Sequence, residues 1–298
     1  MGERFASADE VLGGLRSVDY LADEAIAGVV FLADRLDKPL LVEGPAGTGK
    51  TELAKSVAVM SGARLIRLQC YEGLDEAKAL YEWNYRKQLL RVQVGAADRS
   101  WDDVEADIFT EEFLLPRPLL EAIRADEPVV LLVDEVDRLE VETEALLLEV
   151  LSDWQVSVPE LGTVAATRIP LVFLTSNNTR DLSEALKRRC LFLHLDYPDP
   201  ERERAIVMAR VPGIAEHLAD QATRVVRSVR GLDLTKAPSV SEALDWARTL
   251  VLLGVDIIDA ETVASTLHVL LKYRSDIDKA ARELAAPIAA FGPRRPAG

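Results

Sequence analysis

The chain carries, at residues 40–51, the run Leu40-Leu41-Val42-Glu43-Gly44-Pro45-Ala46-Gly47-Thr48-Gly49-Lys50-Thr51. This run predicts a buried strand, a tight glycine-rich turn and the start of a helix, in that order. Its last eight residues match G-x-x-x-x-G-K-[ST], the P-loop, whose backbone N–H groups surround phosphate oxygens. Glycines let the backbone approach a ligand without a Cβ in the way, and a helix start adds the positive end of its dipole. The run therefore predicts a polyphosphate site at the end of a strand.

The residues that close the P-loop have separate predicted roles. Lys50 should reach the β- and γ-phosphates of a nucleotide, and the Thr51 hydroxyl should bind Mg²⁺. A loop that matches by chance is the alternative, but the strand-forming run before it and the helical run 52–58 after it give the context that the motif requires. ATP and Mg²⁺ are the predicted cofactors, and the motif does not separate ATP from GTP. The loop residues predicted to contact the nucleotide are Gly44, Pro45, Ala46, Gly47, Thr48, Gly49, Lys50 and Thr51.

A second signal is the apolar run Val129–Val133, which ends in the acidic pair Asp134-Glu135. Such a run predicts a buried parallel strand, and ligands bind at the carboxyl ends of the strands in open α/β sheets. Asp134 would complete the nucleotide and Mg²⁺ site with Thr51, and Glu135 would polarise the water that attacks the γ-phosphate. The alternative is that the pair only caps the next helix. The P-loop earlier in the chain favours the catalytic interpretation.

Strands and helices alternate through the first two thirds of the chain, which predicts an α/β fold with a parallel sheet flanked by helices. After Pro198-Asp199-Pro200 the remaining runs are helical, so the sequence predicts a domain boundary there. Residues 1–197 would form the nucleotide-binding core, with a hairpin at residues 154–167. Residues 198–298 would form an all-α lid domain, with a tail that frays from residue 291 onwards.

Residues 71–118 are predicted to form an insertion after the second strand. Within it, Ala77–Leu80 predicts a helix, Leu89–Val94 a strand and Gly95–Asp107 a polar loop. Aromatic residues interleaved with basic ones are typical of a stacking platform for single-stranded nucleic acid, but many acidic neighbours oppose that interpretation. We favour a surface that contacts a protein partner, and simple packing of an irregular subdomain is the other alternative. The aromatic residues are Tyr81, Trp83, Tyr85 and Trp101.

Composition narrows the possible classes of protein. The 298 residues are 49% hydrophobic and 29% charged, so the chain can bury a sizeable core in one or two domains. A formal net charge of −15 disfavours nucleic acid as a general partner, because its phosphates would be repelled. Cys70 and Cys190 form no CxxC motif, which indicates a reduced, cytoplasmic protein. The chain shows no signal-peptide pattern and no apolar run of about 18 residues, so no membrane span is expected.

Taken in order, five features together resemble an AAA+ ATPase. They are the P-loop (Walker A), the Asp134-Glu135 strand end (Walker B), a strand that ends in Asn177, the basic pair Arg188-Arg189 and the helical C-terminal region. The hairpin at residues 154–167 and the insertion after the second strand resemble the MoxR family. Residues 72–77, 80–83 and 113–119 are similar to its CoxD-like branch. The resemblance covers nearly the whole chain from about Tyr20.

This resemblance implies roles for three further positions. Asn177 would be the sensor-1 residue that orients the attacking water with Glu135; its neighbour Asn178 and a simple helix cap are the alternatives. Arg189 would be an arginine finger that reaches the γ-phosphate in the next subunit of a ring, with Arg188 as second choice and a surface basic pair as the other interpretation. A finger that acts in trans implies a hexamer.

The sequence departs from the family in the sensor-2 region, where MoxR-like proteins usually carry an arginine early in a helix. Residues 236–242 contain no arginine. Lys236 is the nearest substitute, but a lysine does not offer the two-pronged hydrogen bonding of a guanidinium. The sequence therefore does not decide whether the lid senses the nucleotide.

The resemblance implies an Mg²⁺-dependent, chaperone-like ATPase that remodels a protein partner. That partner would be a von Willebrand factor A (VWA)-type protein or a metalloenzyme under maturation, such as a CO dehydrogenase-like molybdenum enzyme. Two other classes remain open: a nucleotide-gated binding adaptor with little turnover, and a DNA-associated AAA+ motor subunit, which the acidic charge disfavours. A small-molecule kinase is less favoured, because no substrate-pocket motif accompanies the P-loop.

Overall fold

A parallel five-stranded sheet lies at the centre of the computed structural model, which describes residues 4–95, 104 and 107–289. Continuous apolar runs are typical of strands buried on both faces, and every residue of β5 and β8 is buried. The sheet order is β2-β5-β8-β1-β9, so the predicted α/β fold is confirmed. The strands are β1 (Leu40–Glu43), β2 (Arg64–Gln69), β3 (Tyr81–Trp83), β4 (Leu114–Pro116), β5 (Val129–Asp134), β6 (Gln155–Val158), β7 (Gly162–Ala165), β8 (Leu171–Ser176) and β9 (Leu191–His194).

Helices connect the strands of the sheet and then continue without strands from residue 195 to residue 289. The predicted all-α character of this C-terminal region is confirmed. None of the helices in the described ranges is both long enough and apolar enough to span a membrane. The helices are α1 (Ala8–Ser17), α2 (Glu24–Arg35), α3 (Lys50–Met60), α4 (Glu76–Ala79), α5 (Tyr85–Gly95), α6 (Pro118–Ile123), α7 (Val141–Asp153), α8 (Glu184–Arg189), α9 (Pro200–Arg210), α10 (Glu216–Arg230), α11 (Val240–Leu252), α12 (Ala260–Leu270) and α13 (Arg274–Ala289).

The insertion differs from its prediction in two respects, a helix in place of a strand and an additional pair of strands. The expected strand Leu89–Val94 is wrong, since these residues lie in helix α5. Asn84 starts that helix, because its side-chain oxygen accepts a hydrogen bond from the Lys87 N–H at 3.1 Å. Strands β3 and β4 pair antiparallel and bracket the helix, a pairing that the sequence did not predict. The expected polar loop at residues 95–107, with Trp101, lies largely outside the described residues, as does the expected frayed tail.

The chain divides into two compact units. The first contains residues 1–18, 22–44 and 50–194, and the second contains residues 19–21, 45–49 and 195–298. The core of the first unit surrounds the sheet, and its second hairpin pairs β6 with β7 inside the predicted range 154–167. The core of the second unit is built from its helices around the fully buried Trp246. The indole N–H of Trp246 donates to the Thr266 hydroxyl at 2.8 Å, so this buried polar group is satisfied.

Candidate functional site

Asp134, the last residue of β5, is the centre of a hydrogen-bonded cluster in the first unit. Its side chain is 4% exposed. Oδ1 accepts from the Thr51 hydroxyl at 2.9 Å and from the Thr175 hydroxyl at 2.5 Å. Oδ2 accepts from Arg67 Nε at 3.1 Å and from Arg67 Nη2 at 2.5 Å. The fold thus brings together Thr51 and Asp134, the two residues predicted to bind metal, although 83 positions separate them in sequence.

The chemistry of this cluster fits Mg²⁺. A hydroxyl oxygen and a carboxylate oxygen are the hard donors that Mg²⁺ prefers, and here they are already adjacent. Magnesium usually takes only one or two protein ligands and completes its shell with water and phosphate oxygens. The described residues contain no group of three or more His, Cys, Asp or Glu side chains arranged to hold a metal ion by themselves.

Glu135 directly follows the metal-binding candidate and has an unusual backbone. Its φ of 59° and ψ of 49° are left-handed, which is uncommon for a non-glycine residue and often marks a functional position. Its N–H donates to the Thr175 hydroxyl at 2.9 Å. Its carboxylate accepts from Gln69 Nε2 at 3.2 Å and pairs with Arg138 Nε at 2.9 Å, and it makes no capping hydrogen bond to the short helical turn that follows.

Lys50 begins helix α3 and is almost completely buried, at 6% exposed. Its Nζ donates to the Gly44 carbonyl at 2.7 Å, so the side chain folds back over the start of the P-loop. Burial lowers the pKa of Lys50, and the negative charges of Asp137 and Asp134 partly offset that effect. A buried ammonium beside an anion-binding turn is well placed for phosphate, whose charge would compensate for the lost hydration.

Residues 45–49, the turn of the P-loop, belong to the second unit. Two positions in this turn need glycine. Gly47 has a φ of +72°, and a Cβ there would lie 2.3 Å from the Ser239 hydroxyl oxygen. Gly49 has a φ of +95° and lies beside the ring of Tyr20, whose nearest atoms would be 3.8 Å from an added Cβ. Only glycine adopts such angles without cost, and at Gly47 a side chain would also collide. The Thr48 hydroxyl donates to the Pro45 carbonyl at 3.0 Å and closes the turn.

Asp137 is a site residue that the sequence analysis did not single out. Its buried Oδ2 accepts from the N–H groups of Asn177 at 3.2 Å and Thr179 at 3.0 Å, and from the Thr179 hydroxyl at 2.6 Å. Burial alone would raise the pKa of Asp137, but the hydrogen bonds from Thr179 and Asn177 outweigh it and lower the pKa. Its position two residues after Glu135 was the available signal. Asp137 fixes the backbone that leaves β8.

Three residues assigned by resemblance lie at the ends of neighbouring elements. Asn177 follows β8, beside β5 in the sheet, and its backbone is held by Asp137. Arg188 and Arg189 are exposed at the end of α8. Arg189 donates to the Ala185 carbonyl at 3.1 Å and to the Ser152 hydroxyl, not to the acids that end β5.

The segment around Lys236 in the second unit is fixed by its backbone. Lys236 is exposed, and its N–H donates to Asp276 at 3.2 Å. Arg230, which the sequence analysis missed, donates from Nε to the Pro238 carbonyl at 2.7 Å. Ser239 then caps α11 in a capping box with Glu242. This chain therefore holds the region with an arginine from the preceding helix, although it lacks the arginine expected within residues 236–242.

The chain is similar in sequence to several known proteins. The family model "AAA domain (dynein-related subfamily)" matches residues 39–190, about half of the chain. The gas vesicle ATPase GvpN of Ancylobacter aquaticus is 29% identical over 264 residues, which cover 82% of this chain and 69% of that protein. Protein NorQ of Paracoccus denitrificans is 23% identical over 286 residues, covering 93% and 96%. Among solved structures, the Thermotoga maritima RuvB Holliday junction branch migration motor aligns with a TM-score of 0.48, at 20% identity, over 84% of this chain and 70% of that one.

Proposed function

The chain belongs to the AAA domain family, in its dynein-related subfamily, and we propose that it uses ATP hydrolysis to remodel a protein partner. The chain is an ATPase, which its AAA domain and its similarity to the gas vesicle ATPase GvpN support. The observation that carries the proposed site is the 2.9 Å hydrogen bond between Thr51 and Asp134, with Glu135 as the next residue of the chain. This arrangement supports a site in which a metal-binding pair and a water-activating carboxylate stand side by side.

In the proposed site, residues 44–51 hold the phosphates and Lys50 neutralises part of their charge. Thr51 and Asp134 would hold Mg²⁺, which supplies positive charge to the phosphate oxygens when bound. Glu135 accepts a proton from the attacking water, and Asn177 orients that water. Arg189 acts on the nucleotide of a neighbouring subunit, so the active form is a ring, for which we propose six subunits.

Paired substitutions test the chemistry. Lys50→Ala should abolish nucleotide binding, and Glu135→Gln should keep binding but lower ATP turnover by about 10²-fold or more, because the general base is lost. Lys55→Ala and Glu142→Gln are the matched controls, since both side chains are exposed on nearby helices. Steady-state ATP hydrolysis and binding of a fluorescent ATP analogue give the two readouts. Wild-type turnover in both site variants would refute the assignment.

Substitution of Arg189, the proposed arginine finger, tests whether the protein acts as a ring. Arg189→Ala should preserve nucleotide binding and assembly but lose ATP turnover, whereas Arg188→Ala should retain most of it. Light scattering of Glu135→Gln with ATP measures the number of subunits. Mixing Arg189→Ala with Glu135→Gln should restore some turnover, because each mixed interface can pair an intact finger with an intact base. No recovery on mixing would contradict an arginine that acts in trans.

The proposal for the partner is based on the resemblance of the sequence to a family and to one of its branches. The features that resemble the MoxR family, and its CoxD-like branch, support a VWA-type protein partner and the maturation of a metalloenzyme. The similarity to the gas vesicle ATPase GvpN supports the ATP hydrolysis on which such a task would depend. Two cysteines that are not joined by a disulfide are consistent with a cytoplasmic location. Co-purification of a VWA-type protein with Glu135→Gln in ATP, and its release by the wild type, is the expected result.

One observation favours a second function. The sensor-2 region presents Lys236 and no arginine, which suits an adaptor that binds nucleotide and hydrolyses it slowly. A single-turnover assay separates the two: rapid conversion of bound ATP supports the remodelling ATPase, and bound ATP that persists for many minutes supports the adaptor.

A further inference from the structure

Arg67 and Gln69 are two residues of β2 that reach the acidic end of β5. They lie two positions apart, so their side chains share one face of the strand. Gln69 is the register partner of Asp134. The Arg67 guanidinium donates to Asp134 Oδ2 through Nε and Nη2, and Nη2 also donates to the Gln69 side-chain oxygen. The amide nitrogen of Gln69 then donates to Glu135 at 3.2 Å.

We propose that Arg67 is a positioning residue that holds Asp134 through an ion pair, which a divalent cation would have to displace in order to bind there. The proposal rests on the metal role proposed above for Asp134. It adds a competition, because a divalent cation and the guanidinium are drawn to the same buried carboxylate.

The charge balance around Asp134 supports this competition. A carboxylate that is 4% exposed needs a positive partner, and among the described residues Arg67 is its ion-pair partner. Both bonds from Arg67 go to Oδ2, while the two threonine hydroxyls donate to Oδ1. The carboxylate is therefore held on one side by neutral donors and on the other by a cation that a second cation would repel.

The exposure of Arg67 makes the exchange possible. Its side chain is 47% exposed, so the guanidinium regains water when it leaves Asp134. Arg4 shows the opposite case within the same unit: it pairs with Asp34 at 2.8 Å while both side chains are almost completely buried. Separating Arg4 from Asp34 would leave two buried charges without partners, whereas moving Arg67 leaves only the Asp134 carboxylate, which a divalent cation would pair with in its place.

The test measures metal binding directly, with Mn²⁺ and ADP as the probe and electron paramagnetic resonance as the readout. Arg67→Met should lower the half-saturating Mn²⁺ concentration roughly three- to ten-fold, because a competing charge near Asp134 is removed. Without metal and nucleotide, the same variant should melt about 2–5 °C below the wild type, because Asp134 loses its partner. Mn²⁺ with ADP should stabilise the variant more than the wild type.

Two further variants make the outcome decisive. Arg64→Met is the matched control, because Arg64 lies on the same strand but pairs with the half-buried Glu121 and the exposed Glu127. Its Mn²⁺ binding should equal that of the wild type. Arg67→Lys keeps the charge and should bind Mn²⁺ within about two-fold of the wild type. Unchanged or weaker binding by Arg67→Met, beside a wild type that binds normally, would overturn the inference alone. A wild type that does not bind Mn²⁺ with ADP would overturn the proposed metal site and the inference with it.

Discussion

Two buried carboxylates, one in each unit, pair with arginines that differ in exposure. Glu203 accepts from both terminal nitrogens of Arg230, at 2.7 and 2.8 Å, and the Arg230 side chain is only 12% exposed. Asp134 pairs with Arg67, which is 47% exposed. A buried pair is locked, since separating it strands two charges, whereas an exposed arginine can exchange with another cation. The Glu203–Arg230 pair is therefore fixed in place, whereas the Asp134–Arg67 pair has an arginine that can return to water.

Breaking the locked pair should have the largest effect. Glu203→Ala leaves Arg230 buried without a counter-charge, and we expect the free energy of unfolding to fall by about 3–5 kcal/mol. The loss should not depend on metal. Urea unfolding measures it, and Glu201→Ala, an exposed change on the same helix, is the control. A cost below about 1 kcal/mol, the level of an exposed ion pair, would show that the pair is not locked.

Removing the charge of Asp134 should affect ATP turnover much more than the free energy of unfolding. Asp134→Asn keeps an oxygen acceptor for the Thr51 and Thr175 hydroxyls, and Arg67 regains water, so unfolding should change by less than about 2 kcal/mol. ATP turnover should nevertheless fall about 10²-fold or more, because the proposed metal ligand is lost. Parallel measurements of urea unfolding and ATP hydrolysis test both halves. A loss of stability as large as that of Glu203→Ala would remove the contrast between the two pairs.

Asp137 is a third buried carboxylate, and it differs from Asp134 and Glu203 because hydrogen bonds from Asn177 and Thr179, and no arginine of the described residues, hold it. Asp137→Asn should cost about 1–3 kcal/mol at neutral pH, since buried donors lose a charged acceptor. The pKa of Asp137 is lowered in the folded protein, so its contribution is present above the ordinary carboxyl pKa and is lost as pH falls through the lower folded value. The stability difference between wild type and variant should therefore shrink below about pH 4. A difference that stays constant down to pH 2 would contradict this account.

The smallest expected effect concerns the helix end that follows the Arg230 contact. Ser239→Ala removes the cap of α11 and should cost about 1 kcal/mol. Ser241→Ala, at an exposed position in the same helix, should be close to neutral. Urea unfolding of both variants gives the measurement. An equal cost for the two changes would mean that the capping box contributes nothing at this end.

The sequence predicted the elements whose signals are local. Continuous apolar runs gave the buried strands β5 and β8, and the P-loop pattern located a turn that needs glycine at Gly47 and Gly49. The expected strand at residues 89–94 failed, because two or three alternating positions also fit a helix and the Asn84 cap was overlooked. Short apolar runs do not separate the two structures by period alone.

The sequence by itself determined a nucleotide-binding α/β chain with two acids at the end of a strand. Backbone conformation and burial depend largely on the types of neighbouring residues, so a short stretch of sequence predicts both. The tertiary structure alone decided which side chains hold those acids. Arg67 meets Asp134 across 67 positions, and Thr179 meets Asp137 across 42. Such contacts depend on the order and register of strands in the sheet, and no local pattern contains either of them.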